Sequence, residues 1–251
     1  MNMKYLFFTV IVLFTVSIFI CPAFAKINPE TVVGMWLFDE GEGEIAAESS
    51  GRAGDMTLNN GVLWVEGPFG TALGFDGIDD FARASIPEAP QGAAERTLVA
   101  WAKSNNTSLH AGIVSYGNPA LNAVFGFMHY TTGMWVSQLW GADPDIITGV
   151  AADTEWHHHA VMYDGKDVIH YIDGKEVSAA ARVPVTAGTT ILVGMEPDLD
   201  NWFNGSVDEV AVFNVVLTSD DVNSIMNEGL KMSAAVSSAD KLIATWGLIK
   251  N

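Results

Sequence analysis

The chain has 251 residues, 12 of them basic and 30 acidic, for a formal net charge of −18. That balance excludes nucleic acid and anionic membrane surfaces as natural partners, and its plainest effect is solubility. The single cysteine, Cys21, leaves no intrachain disulfide, so a core must be built from apolar side chains alone.

In chain order, Lys4 precedes an apolar run from Tyr5 to Ile20, followed by Ala23-Phe24-Ala25. A basic start, a short apolar stretch and a small-x-small site predict a secretory signal over 1–25, cleaved after Ala25. A membrane anchor is the competing reading, but a span needs about 20 apolar residues and Pro22 interrupts this one. The expected protein is therefore secreted, periplasmic or cell-surface, without membrane insertion after cleavage. Residues 26–231 form one predicted domain and 232–251 a C-terminal tail.

Short apolar or alternating segments follow, separated by Gly, Asn and Asp clusters. Predicted strands are Val32–Phe38, Met56–Leu63, Ala72–Phe75, Phe81–Ser85, Arg96–Ala102, Gly112–Tyr116, Ala123–Tyr130 and Met134–Leu139. Trp156–Tyr163, Val168–Ile172, Lys175–Ala181, Thr189–Met195 and Ser206–Phe213 complete the set. Asp173-Gly174 is the strongest hairpin signal, because both residues tolerate the positive φ of a two-residue turn. Asn60-Gly61, Asp76-Gly77 and Asp164-Gly165 are further turns. Thr218 as N-cap, Asp220 and Asp221 in the first turn, and Val222, Ile225 and Met226 at helical spacing predict one helix before Gly229. Lys241–Lys250 reads as a weaker helical segment. The fold class is all-β: a two-sheet antiparallel sandwich with a short C-terminal helix.

Four blocks, in this order, resemble the laminin-G-like, concanavalin A-like jelly rolls, with the pentraxins as distant relatives. They are Gly34-Met35-Trp36-Leu37-Phe38-Asp39-Glu40-Gly41 with Ser49-Ser50-Gly51, and Gly70-Thr71-Ala72-Leu73-Gly74-Phe75-Asp76-Gly77 running to Phe81. Then come Glu155-Trp156-His157-His158-His159-Ala160 leading to Tyr171-Ile172-Asp173-Gly174-Lys175, and Phe203-Asn204-Gly205-Ser206-Val207-Asp208-Glu209-Val210 running into Leu217-Thr218. The resemblance implies a jelly roll whose rim loops hold ligand and often calcium. It implies a structural calcium held by Asp208 and Asp39 with carbonyls near Gly77. It also places Glu196, Asp198 and Asp200 in the pentraxins' acidic calcium loop, with Asn118 and Asn122 as partner ligands. Pro197 departs from that loop, since it replaces an oxygen-bearing residue.

Other side chains bear on ligand and chemistry. Trp202 and Trp140 are candidate stacking faces for a sugar ring, and Asp143 lies in a rim loop with Asp145. Trp140 is expected to be more exposed than Trp135, whereas Trp36, Trp101 and Trp156 read as core. Strand alternation turns His157 and His159 one way and His158 the other, so the three cannot converge on one tetrahedral metal. The paired carboxylates of the jelly-roll glucanases, Glu-x-Asp-x-x-Glu, are missing, as are a nucleophile elbow, a phosphate loop and His-Glu-x-x-His. The expectation is a non-catalytic binding module for glycan, or alternatively for an extracellular protein in adhesion. A divergent glycoside hydrolase is the third reading.

Overall fold

A computed structural model describes residues 27–141, 145–198 and 200–234. The predicted signal segment, Asp143 and the Lys241–Lys250 segment lie outside the described residues. In chain order the strands begin with β1 (Val32–Trp36), β2 (Ile45–Ala46), β3 (Met56–Asn59), β4 (Leu63–Gly67), β5 (Gly70–Asp76) and β6 (Phe81–Ser85). Next are β7 (Arg96–Ser104), β8 (Ala111–Gly117), β9 (Val124–His129), β10 (Met134–Gln138) and β11 (Ile146–Ala151). The last are β12 (Trp156–Tyr163), β13 (Asp167–Ile172), β14 (Lys175–Ala181), β15 (Thr190–Val193) and β16 (Asn204–Phe213), before helix α1 (Ser219–Ala234).

The first sheet runs β14-β13-β12-β7-β16-β5-β4 with β1 also on β16, and the second runs β11-β10-β9-β8-β15-β6-β3-β2. All pairings between the strands are antiparallel. The sandwich predicted from alternation is therefore the observed architecture. Asp173 and Gly174, at φ 49° and 72°, make the expected tight turn of the β13–β14 hairpin.

The expected Met56–Leu63 strand is two strands. Asn60 and Gly61, at φ 64° and 123°, turn the chain there, so β3 joins the second sheet and β4 the first. The turn chemistry overrode the apolar continuity. Strand β11 was missed because its alternation is broken by Gly149, which has φ 77°.

Alternate residues of both sheets fill one core containing Trp36, Phe38, Phe75, Tyr116, Phe125, Phe127, Trp135 and Phe203. A second apolar layer lies on the outer face of the first sheet, where Val99, Ala160, Met162 and Phe213 meet Val222, Ile225 and Leu230 of α1. That helix starts as predicted: Asp221 N–H donates to Thr218 Oγ1 at 3.2 Å, and Thr218 N–H donates to Asp221 Oδ2 at 2.9 Å. Its regular geometry breaks at Gly229, φ 79°.

Strand β16 is shared unevenly. Asn204–Val207 pair with β5, Val210–Phe213 with β1, and both partners sit on the edge opposite β7. Asp208 and Glu209 occupy the gap between them in a bulge, with Glu209 at φ 51°. Trp36 ends β1 and Gly70 begins β5 at this level, which delivers Asp39 and the Gly67–Gly70 turn to the bulge.

Candidate functional site

The outward face of the second sheet carries a cavity of about 460 Å³. Phe125, Phe127 and His129 of β9 point inward, so Tyr130, next in line, points out. On β10, Trp135 and Ser137 point inward, while Gln138 and then Trp140 face out. His110 just ahead of β8, Asp145 just ahead of β11, and Glu196, Asp198 and Asn201 after β15 complete the wall.

Two carboxylates organise this bowl. Glu196, only 4% exposed, accepts from His110 Nε2 (3.2 Å), Gln138 Nε2 (2.6 Å) and Asn201 Nδ2 (2.6 Å). Asp145 accepts from Tyr130 Oη (2.7 Å) and from the backbone N–H of Leu139 (2.7 Å) and Trp140 (2.9 Å). It thereby fixes the loop that presents Trp140, whose backbone has φ 73°. Asn122 N–H donates to Trp140 O at 3.1 Å and braces the same loop.

Four titratable groups of the bowl, His110, Tyr130, Asp145 and Asp198, are shifted upward. The hydrogen bond to Glu196 holds His110 above its ordinary value. Burial, then its bond to Asp145, raises the Tyr130 phenol, and burial raises Asp145 itself. Burial followed by the charge of Asp200 raises Asp198. Carboxylate oxygens of Glu196, Asp198 and Asp200 lie within 4.8 Å of one another. The Gln138 Oε1 acceptor is buried without a hydrogen-bond partner.

A second carboxylate group sits at the β16 bulge. Asp208 is 0% and Glu209 3% exposed. Asp208 accepts from Phe69 N–H (3.1 Å) and Glu209 N–H (2.8 Å), and Glu209 from Leu230 N–H (2.5 Å). Burial pushes Asp208 up to about 8 and Glu209 up to about 7, with Asp39 adding charge to both. Among the described residues no ion pair reaches Asp39, Asp208 or Glu209. Glycines make the room: a Cβ on Gly67 would stand 2.5 Å from Asp208 Oδ2, and one on Gly70 would overlap Asp39 Oδ1. A hard cation wants such a set, two buried carboxylates and a third beside them; Lys231 lines the adjoining cavity with Asp39 and Glu209 but makes no ion pair with them.

The predicted site residues divide. Trp140, Asp198 and Glu196 line the bowl, with Asp200 beside them, while Asp39 and Asp208 meet at the bulge. Gly77 does not join that pair: it lies beyond the far end of β5, against Asn204. Gly70 is the glycine beside Asp39. Asn118 packs over Gly188, and Asn122 Nδ2 donates to Val183 O at 2.5 Å, so both serve loop structure outside the cavity. Trp202 packs on Phe81, ring centroids 6.0 Å apart, instead of facing the bowl. Trp135 is fully buried and Trp140 is not, while Trp101 and Trp156, expected as core, are only half-buried. His110, Tyr130 and Gln138 were not singled out in the sequence, where no spacing links three strand ends.

The histidine block divides as alternation requires. His157 bridges Asp173 (2.7 Å) and Asp153 (2.9 Å), which raises it to about 9, the Asp173 bond contributing most. His159 stacks on Phe127 in the core and hydrogen-bonds His170 (3.0 Å), which reaches Ser137 (3.0 Å) across the sheets. His158 faces the other way, with both ring nitrogens unpartnered and burial lowering it to about 4.

Comparison with solved structures shows the same fold at low identity. Domain 4 of AbnA, an extracellular arabinanase from Geobacillus stearothermophilus solved with arabinotriose, is 19% identical at TM-score 0.62, covering 81% of this chain and 100% of that one. The binding domain of botulinum neurotoxin DC in complex with rat synaptotagmin II is 16% identical, TM-score 0.60, covering 80% and 52%. Trypanosoma rangeli sialidase in complex with 2,3-difluorosialic acid is 16% identical, TM-score 0.58, covering 78% and 32%. The chain thus spans about half of the toxin chain and a third of the sialidase, and the fold is shared by binding domains and an enzyme alike. Among curated proteins none matches the sequence. The family model of the laminin-G type, described as the concanavalin A-like lectin/glucanases superfamily, matches residues 77–223, more than half of the chain. The chain belongs to that superfamily.

Proposed function

We propose that this is an exported, non-catalytic glycan-binding module, with the Trp140–Tyr130 bowl as its combining site and a structural calcium at the β16 bulge. The bowl carries the reading. It is concave, of a size usual for small-ligand sites, and joins aromatic faces to fixed polar groups on a rigid sheet. Binding is favoured over cleavage because Glu196 and Asp145 are both committed to holding loops. A hydrolase needs one carboxyl free as acid and another facing it across the bond. Asp39, Asp208 and Glu209 would hold the calcium, which supplies the positive charge that the buried carboxylates lack.

The test is a glycan array probed with the purified protein and with Trp140→Ala, alongside an assay for reducing ends released from the same polysaccharides. Binding that falls at least about tenfold in Trp140→Ala, without sugar release, is expected. Binding untouched by Trp140→Ala would move the site elsewhere. Released reducing ends would restore the hydrolase reading.

A further inference from the structure

The bowl is lined by carboxylates. Asp145, Glu196 and Asp198 line it and Asp200 adjoins them, while among the described residues His110 is the one basic side chain on the wall, already bonded to Glu196. The hydrogen-bonding inventory leans the same way. Donors on the wall are largely spent: the His110 ring nitrogen, the Gln138 amide and the Asn201 amide converge on Glu196, and the Tyr130 hydroxyl on Asp145. Acceptors remain. Gln138 is 1% exposed and its Oε1 has no partner, although the residue lines the cavity. Asp198 and Asp200 present carboxylates at the rim, both exposed. An anionic sugar would meet like charge, which costs several kcal/mol across an interface. A donor-rich ligand carrying positive charge meets acceptors, carboxylates and two electron-rich ring faces.

Resting on the reading of the bowl as a glycan site, we infer that its ligand class is the amino sugar bearing a free ammonium, a glucosamine-type oligosaccharide, and that it rejects acidic glycans. Hydroxyls of the same sugar satisfy Gln138 Oε1 and the polar wall at Thr131 and Thr132, and the ammonium sits against Asp198 and Asp200. A lysine side chain offers the ammonium without the hydroxyls, which is why a glycan fits this wall better than a basic peptide.

Calorimetric titration decides it, using four trisaccharides: glucosamine, its N-acetylated form, a neutral glucose oligomer and a galacturonate. A lysine tripeptide serves as control, and each ligand is run against wild type, Asp198→Asn/Asp200→Asn and Trp140→Ala. The glucosamine oligomer is expected to bind at least about tenfold tighter than its acetylated and neutral counterparts, and the galacturonate not at all. The aspartate double variant should erase that preference while keeping neutral-sugar binding, and Trp140→Ala should weaken both. Equal binding of neutral and ammonium sugars, lost in Trp140→Ala, would overturn the charge selectivity and leave the glycan site standing. No sugar binding at all would overturn both. Ammonium-sugar binding unchanged in both variants, or matched by the lysine peptide, would mark attraction to the acidic surface at large and overturn the inference.

Discussion

Two acidic sites in one sandwich have opposite electrostatic solutions. At the bowl, Glu196 is buried but surrounded by three side-chain donors from three separate segments, so the protein itself satisfies the charge. At the β16 bulge, Asp208 and Glu209 are equally buried but receive only backbone N–H groups, and burial pushes both toward protonation. A buried carboxylate with its own donors is a structural clamp, free to frame a ligand site. One without them asks for a proton or a cation. Burial and residue type are the same in both; the difference lies in what the neighbouring elements bring.

The buried histidines take the same contrast to its limit, and they carry the largest expected effect. His158 is held at about 4 by burial, against an ordinary value near 6.5. The unfolded chain therefore takes up the proton first. Stability is full above about 6.5 and drains as pH falls toward the folded value, by on the order of 3 kcal/mol from His158 alone. Urea unfolding from pH 7 to 4 should show this loss, and His158→Phe should reduce it; a flat profile for the native protein would contradict it.

Glu196→Ala comes next. Removing the clamp leaves the Gln138 and Asn201 amides without their acceptor, a cost of about 2 kcal/mol in EDTA and in calcium alike. A cost that disappears in EDTA would mean that Glu196 serves an ion instead. Asp208→Asn should be milder without calcium: the amide oxygen still accepts from Phe69 N–H, and relief of burying charge keeps the change within about 1 kcal/mol. Denaturant midpoints of the two variants in EDTA measure the contrast directly, and equal losses would erase it. Asn122→Ala removes the bond to Val183 O, and with it about 1 kcal/mol or less. It should weaken glycan binding only a few-fold, through the Trp140 loop; an effect as large as that of Trp140→Ala would place Asn122 in the site itself.

Local rules made most of the fold legible. Alternation located Phe81–Ser85, Trp156–Tyr163 and Lys175–Ala181 at their observed bounds, and Asp173-Gly174 announced its hairpin. Where the reading failed, a strand was drawn across a turn that the sequence itself announced, at Asn60-Gly61, or a glycine interrupted the alternation, as in β11. The sites were less legible for a topological reason. Asp39 and Asp208 are 169 positions apart and meet because β16 pairs with both β1 and β5. The resemblance supplied that pair; Gly77, named with it, lies at the other end of β5 against Asn204, and Gly70 is the glycine beside Asp39. Trp140 and Glu196 were named, whereas His110, Tyr130 and Gln138 join them only through strand order in the second sheet. Trp202 looked equally suited to a sugar, and only packing on Phe81 distinguishes it.

The most direct measurement is thermal unfolding of wild type, Asp208→Asn and Asp198→Asn/Asp200→Asn in EDTA and in 10 mM calcium. A site with a dissociation constant of about 0.1 mM gives roughly 2.7 kcal/mol of linkage, a rise of about 5–11 °C for a domain of this size. The expected result is a full rise in wild type and in the double variant, and none in Asp208→Asn. A rise that survives Asp208→Asn but vanishes with Asp198 and Asp200 would put the cation in the bowl and contradict the division of roles between the two sites.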